Sequence, residues 1–166
     1  MKKIICIFTI FSMITLLAGC GMSKEEQKEE VESKYQSLEL IANIYDGIYQ
    51  KYVDDIRTSL NNNGQNDAQQ WEKMLKNVKA LDSSIDEIKL SRENDSHNAN
   101  LLREDIKIYK GLIKDFEELL PETHDALENS SKDTSFLNKF KDLSERTMSA
   151  HKKFQNDISY FLGYGE

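Results

Sequence analysis

The side chains best suited to chemistry in this chain are three histidines, and their sequence neighbours argue against a familiar helical metal site. They are His97, His124 and His151. Helical bundles that hold two metal ions place a glutamate three residues before each ligand histidine. Asn94, Pro121 and Met148 occupy those positions here. We therefore expect no di-iron or related centre.

Other sequence signatures of catalysis and cofactor binding are missing as well. The chain has no phosphate-binding glycine loop, nucleophile elbow, Cys-x-x-Cys pair or His-Glu-x-x-His helix. Paired carboxylates occur at Glu25-Glu26, Glu29-Glu30, Asp54-Asp55 and Glu117-Glu118. Adjacent helical side chains diverge, so these pairs predict solvated faces. We expect no enzyme, no cofactor and no metal.

His151 has two interpretations. It follows Ser144, Thr147 and Met148 on the inner side of a predicted helix, where it would form part of a polar or proton-sensitive pocket. The alternative, which we prefer, is a rim histidine with one ring nitrogen in water. His97 and His124 fall in predicted turns, where we expect them to be solvated.

Tyrosines provide the best candidate for a partner surface. Tyr45, Tyr49 and Tyr52 are spaced by four and three residues along one predicted helix. An exposed stripe of this kind would suit a protein partner, because tyrosine combines a large contact area with a polar tip. Core packing is the alternative, since Tyr45 and Tyr52 also fit a buried seam. Tyr160 and Tyr164 near the C-terminus extend the candidate surface.

The two cysteines lie within the first twenty residues, and the second ends a characteristic pattern. A cationic Met1-Lys2-Lys3 precedes an apolar stretch over 4–17, and Leu17-Ala18-Gly19-Cys20 follows. This arrangement resembles the signal peptide and lipobox of bacterial lipoproteins, of Gram-positive type. The resemblance implies cleavage before Cys20 and a diacylglyceryl group on its sulfur. An ordinary secretory signal is the alternative.

The apolar stretch is too short for a permanent membrane span. Fourteen helical residues cover about 21 Å, against roughly 30 Å of hydrocarbon. We predict a signal peptide at 1–19, a lipidated polar stem at 20–30 and a helical domain at 31–166. Loss of Lys2 and Lys3 leaves 20 basic residues against 29 acidic ones, a net charge of −9. That charge disfavours nucleic acid as a partner.

Heptad-like apolar spacing predicts long helices in the mature chain. The first runs from 23 to 60, with a buried seam that includes Val31, Leu38, Tyr45 and Tyr52. The second runs from 68 to 90 and carries Trp71, Met74 and Val78. A polar SRENDSHN segment at 91–98 predicts a turn. Because the same register resumes at Leu102, one helix over 68–120 is the alternative.

Pro121 is expected to end or kink the third helix, and 122–128 to form at most a short extra turn. The fourth helix, capped by Asp133 or Thr134, runs to Gly163. Four amphipathic segments with short connections predict an all-α, antiparallel four-helix bundle. The C-terminal segment 160–164 should then lie at the membrane-proximal end.

These patterns favour a binding protein rather than an enzyme. We expect a lipoprotein anchored through Cys20 on the extracytoplasmic face of the cell membrane, engaging a protein or the cell envelope. An immunity or superinfection-exclusion lipoprotein that blocks a membrane partner is the alternative. The sequence does not identify the partner.

Overall fold

The computed structural model describes residues 21–61, 68–128 and 135–161, and within them the chain is an all-α bundle. Its helices are α1 (Lys24–Asn61), α2 (Ala68–Ile85), α3 (His97–Glu128) and α4 (Ser135–Phe161). None of the described residues forms a strand. The predicted fold class is therefore confirmed. Cys20 and the predicted signal peptide lie outside the described residues, as do Asp133 and Thr134.

Contacts between distant residues fix the directions of the helices. Tyr35, near the start of α1, packs against Phe161 at the end of α4, with ring centroids 5.4 Å apart, so these two helices run antiparallel. Tyr52, near the end of α1, hydrogen-bonds Thr123 near the end of α3, so α1 and α3 run parallel, as in an up-down-up-down bundle. We call the end that holds the start of α1 the base. The described part of the C-terminal segment lies at the base, as the predicted topology requires.

The helices are held by one continuous apolar core, with α3 packed against each of the other three. The predicted seam of α1 is buried. Its innermost members, each at most 1% exposed, are Val31, Leu38, Tyr45 and Tyr52. The seam forms because residues three and four apart share one helix face.

The turn between α2 and α3 is confirmed, and it begins earlier than predicted. α2 ends at Ile85, and the linker occupies 86–96. The hydroxyl groups of Ser83 and Ser84 donate to the carbonyls of Lys79 and Ala80. Such bonds compete with helical geometry. Ile88 stays 8% exposed beyond the helix, which is why the apolar spacing suggested a longer α2.

A buried asparagine fixes this linker to the base of α1. The Asn94 side chain is fully buried, and its amide donates to the Gln27 carbonyl at 3.0 Å and to Glu30 at 2.8 Å. Glu30 also accepts the Ser91 backbone N–H at 2.7 Å. Arg103 of α3 donates to the carbonyls of Ser91 and Asn94. The linker is thus pinned from two helices.

Helix α1 begins directly after the predicted lipidation position. Ser23 and Glu26 form a reciprocal capping box, with the Ser23 N–H donating to the Glu26 carboxylate at 2.8 Å. This backbone hydrogen bond lowers the pKa of Glu26. Gln27 and Glu30 already contact the linker. The bundle's contacts therefore start inside the segment that the sequence assigned to a stem.

The third helix does not end at Pro121, so that one of the two expected outcomes is wrong. α3 continues through Pro121 to Glu128, so 122–128 form its last two turns rather than a separate one. Pro121 is exposed, which lets its ring face water. Leu119, Leu120 and Thr123 around it are buried, so core packing holds the helix together across the missing N–H.

The two helical glycines do not mark close helix crossings. An added Cβ at Gly47 would meet no atom within 4 Å, and one at Gly111 would come only within 3.9 Å of the Arg146 side chain. Neither position requires glycine for space.

Candidate functional site

The three α1 tyrosines are core residues, so their predicted role as an exposed partner surface is wrong. Tyr45, Tyr49 and Tyr52 are 0%, 5% and 0% exposed. Their rings contact one another and Phe116 of α3, with centroids 5.0–6.0 Å apart. The alternative of core packing is confirmed. Tyr49, which the sequence did not assign to the seam, is also buried, between α3 and Phe140 of α4.

Hydrogen bonds satisfy the hydroxyl groups of two of these tyrosines, and burial keeps both phenols neutral. Tyr45 pairs with Thr147 at 3.0 Å. Thr123 donates its one hydroxyl proton to the Leu119 carbonyl at 2.9 Å, so Tyr52 must be the donor in its 2.8 Å bond to Thr123. Burial raises the pKa of both Tyr45 and Tyr52. Neither phenol is suited to act as a base.

Tyr160 is the one candidate surface tyrosine that the described residues leave exposed. It is 58% exposed at the base, and its ring lies edge-on to His97 with centroids 5.9 Å apart. His97 is the first residue of α3 rather than part of the turn. Tyr164 lies outside the described residues. A partner contact at this end of the bundle stays a prediction.

His151 lies at the rim of the bundle, as in the interpretation that we preferred. It also has a partner that the sequence did not reveal. Its Nδ1 lies 3.1 Å from Asp46 of α1, and the two side chains are 41% and 32% exposed. Burial raises the pKa of Asp46, opposed by its attraction to His151. Gln155 contacts the other ring nitrogen at 2.7 Å. The pair joins α1 to α4 across the surface.

A buried carboxylate on α3 was missed by the sequence analysis. Asp105 is 1% exposed, and its Oδ1 accepts the Lys153 ammonium of α4 at 2.7 Å. Lys153 also donates to Asp157 at 2.6 Å. Burial lowers the pKa of Lys153, and its hydrogen bonds to both aspartates outweigh that and raise it overall. The spacing could have indicated the burial of Asp105, because it lies three residues after Leu102 and four before Tyr109, on the face of α3 that packs into the core.

An open groove of about 470 Å³ lies between α3 and α4, away from His151. Its floor includes Leu119 and Leu143. Arg146 of α4 crosses it to Asp115 of α3 at 2.6 Å and also bonds Asp142 of its own helix at 3.3 Å, while Lys139 reaches Glu122. The groove's cations are thus already paired with its acids. It joins no nucleophile to a base, so it does not favour catalysis.

His124 belongs to α3, where a solvated turn was expected, and its ring packs 5.5 Å from that of Trp71. With Asp125 and Glu128 it forms the one cluster of three potential metal ligands within the described ranges. Its Nδ1 lies 4.0 Å from an oxygen of each acid. Both carboxylates are more than 60% exposed. The arrangement is that of a solvated helix end.

The outward face of α1 has exposed apolar residues that the heptad pattern did not include. Leu40 and Ile44 are 57% and 44% exposed. Among their exposed neighbours, Gln36, Asn43, Gly47 and Gln50 are uncharged, and the charged Glu39 and Lys51 are exposed beside them. Apolar residues within a polar rim are typical of protein interfaces.

Comparison with known proteins identifies no relative. No family model, no curated protein sequence and no solved structure matches the chain. Among the described helices, none is both long and apolar enough to cross a bilayer.

Proposed function

We propose that this protein is a lipoprotein anchored through Cys20 to the extracytoplasmic face of the cell membrane, where its helical bundle binds another protein. The exposed apolar side chains on the outward face of α1 are the observation that carries the binding role. This face exposes Leu40 and Ile44 on the helix next to the anchor. Such a face has no role in the bundle's own core.

The start of α1 fits a short tether. Three residues separate Cys20 from Lys24, a reach of at most about 14 Å in extended form. α1 itself has 38 residues and spans about 57 Å. A lipid on Cys20 would therefore hold the base near the headgroups and carry the far end of the bundle well beyond them.

Side-chain chemistry supports binding over catalysis. His151 is paired with Asp46, Lys153 with Asp105 and Asp157, and Arg146 with Asp115 and Asp142. None of these groups meets a nucleophile in a closed pocket. Partner binding through surface shape requires no such arrangement.

Site-specific photo-crosslinking in native membranes tests the proposal. A photoreactive residue replaces Leu40 or Ile44, with exposed Lys76 of α2 as the matched control. We expect one discrete protein adduct from the two α1 positions and none from the control. Equal labelling from all three positions, or no protein adduct from α1, would contradict a binding face on α1.

An immunity or superinfection-exclusion role is the second candidate, and exposed Tyr160 at the base favours it. A protein that blocks a membrane partner must present its contact near the bilayer. A crosslinker at position 160 that captures an integral membrane protein, with no adduct from 40 or 44, would support this role over the first.

A further inference from the structure

Asp105 is a carboxylate placed where a bundle normally holds an apolar side chain. It lies on the core face of α3 and is 1% exposed. Lys153 satisfies only Oδ1, at 2.7 Å, while Oδ2 is buried and has no hydrogen-bond partner among the described residues. An ionised carboxylate with an unpaired buried oxygen is costly, because the lost hydration is only partly replaced.

Two further hydroxyl groups without partners lie in the same part of the core. They belong to Tyr35 of α1 and Tyr109 of α3, and burial raises the pKa of both, with the charge on Asp105 adding to the effect. Their rings flank Phe154 of α4, at centroid distances of 6.0 and 5.6 Å. The interior between α1, α3 and α4 is therefore polar and incompletely paired.

The charged groups around Asp105 come from α3, α4 and α1. Lys153 of α4 contacts Asp105 and Asp157, and its ammonium lies 3.7 Å from Glu104 of α3. On the α1 side, Asp46 is close enough to Tyr109 to raise its pKa. One cation thus serves three carboxylates, and it does not neutralise them all.

We propose that Asp105 is a proton-controlled latch between α3 and α4. At acidic pH its carboxyl is neutral and needs no cation, so Lys153 is left to Asp157 and Glu104. At higher pH the carboxyl ionises inside the core, and the last turns of α4, which carry Tyr160, are held less stably against α3. The base of the bundle then opens more often as the pH rises.

Proton linkage determines whether stability rises or falls with pH. Burial raises the pKa of Asp105 to about 6 despite the opposing Lys153, against 3.8 for an aspartate side chain in water. The folded state therefore binds the proton more tightly than the unfolded chain. The stability gained in this way is fully present below about pH 4 and is lost as the pH rises through about 6.

Thermal unfolding of the full-length protein in neutral-detergent micelles between pH 4.5 and 8 tests the latch. The variant is Asp105→Asn, which keeps the shape and removes the charge. At pH 8 we expect its unfolding equilibrium constant to fall by up to roughly 100-fold relative to the parent. The fold-difference should be about half of its pH 8 value near pH 6 and should fall below about tenfold at pH 4.5.

Asp115→Asn is the matched control, because Asp115 also pairs with an α4 cation but is 42% exposed. We expect its effect on unfolding to be independent of pH over this range. An Asp105→Asn effect that is the same at every pH would overturn the latch. Carboxyl NMR of the unmodified protein gives a direct reading that needs no variant, and an Asp105 titration near pH 4 would also overturn it.

Discussion

At the scale of single residues, buried polar side chains decide how this bundle is put together. Asn94 has no exposed surface, and its amide donates to the Gln27 carbonyl and the Glu30 carboxylate where the linker meets α1. The sequence marked 91–98 as polar and therefore as a turn. It gave no sign that Asn94 faces inward, because its partners Gln27 and Glu30 are more than sixty positions away.

Replacing Asn94 with alanine should destabilise the protein by about 1–3 kcal/mol, since a Glu30 oxygen and the Gln27 carbonyl lose a buried donor. Urea unfolding followed by circular dichroism measures the change. Asn43→Ala, on the exposed face of α1, is the control and should alter stability by no more than about 0.5 kcal/mol. Equal effects from the two variants would contradict the pinning role of Asn94.

Tyrosines and histidines show where residue-level prediction reaches its limit. Spacing placed Tyr45 and Tyr52 correctly on a seam, but it did not decide between a buried and an exposed stripe. That choice depends on which helices pack against α1. The pairing of His151 with Asp46 likewise depends on the register between α1 and α4, which local sequence does not specify.

At the scale of helices, apolar periodicity predicted three of the four elements to within a few residues. It failed at Pro121, where local propensity argued for a stop and tertiary packing continued the helix. Buried Leu120 and Thr123 on either side supply the packing that offsets the lost hydrogen bond.

Pro121→Ala should therefore raise the free energy of unfolding. A restored N–H can donate to the Glu117 carbonyl one turn earlier, and the steric conflict in the helix interior is removed. The interior cost of proline is about 3 kcal/mol, and proline's restriction of the unfolded chain returns up to about 1 kcal/mol, so we expect a gain of about 2 kcal/mol.

Chemical denaturation of the variant and the parent measures this gain. Glu118→Ala, exposed on the same helix, is the control and should shift stability by about 0.5 kcal/mol or less. A loss of stability in Pro121→Ala would mean that α3 needs the proline.

A second element-level prediction concerns Gly47. It lies exposed in the middle of α1, and an added Cβ meets nothing within 4 Å. Gly47→Ala should stabilise the protein by about 0.5–1 kcal/mol through helix propensity alone. Thermal unfolding tests it, with Gly21→Ala outside the helices as the control. If Gly47→Ala destabilises the membrane-bound protein only, a partner must approach this face closely.

At the scale of the whole molecule, the bundle resembles a rod with different features along its length. The base holds the linker, the start of α1 and exposed Tyr160, while the exposed Leu40 and Ile44 lie partway along α1. Antiparallel topology was predictable, because four amphipathic segments with short connections leave few other arrangements. The sequence did not predict which surface remains free, because exposure is a property of the assembled bundle.

The proposed function depends on Cys20 as the point of attachment to the membrane. The most direct test is mass spectrometry of the N-terminal peptide from protein purified from the membrane fraction of cells that make the full chain. We expect this peptide to begin at Cys20 and to carry a diacylglyceryl group on sulfur, and Cys20→Ala to abolish both cleavage and lipid. An unmodified cysteine on protein released into the medium, or a chain that retains residues 1–19, would contradict the central claim.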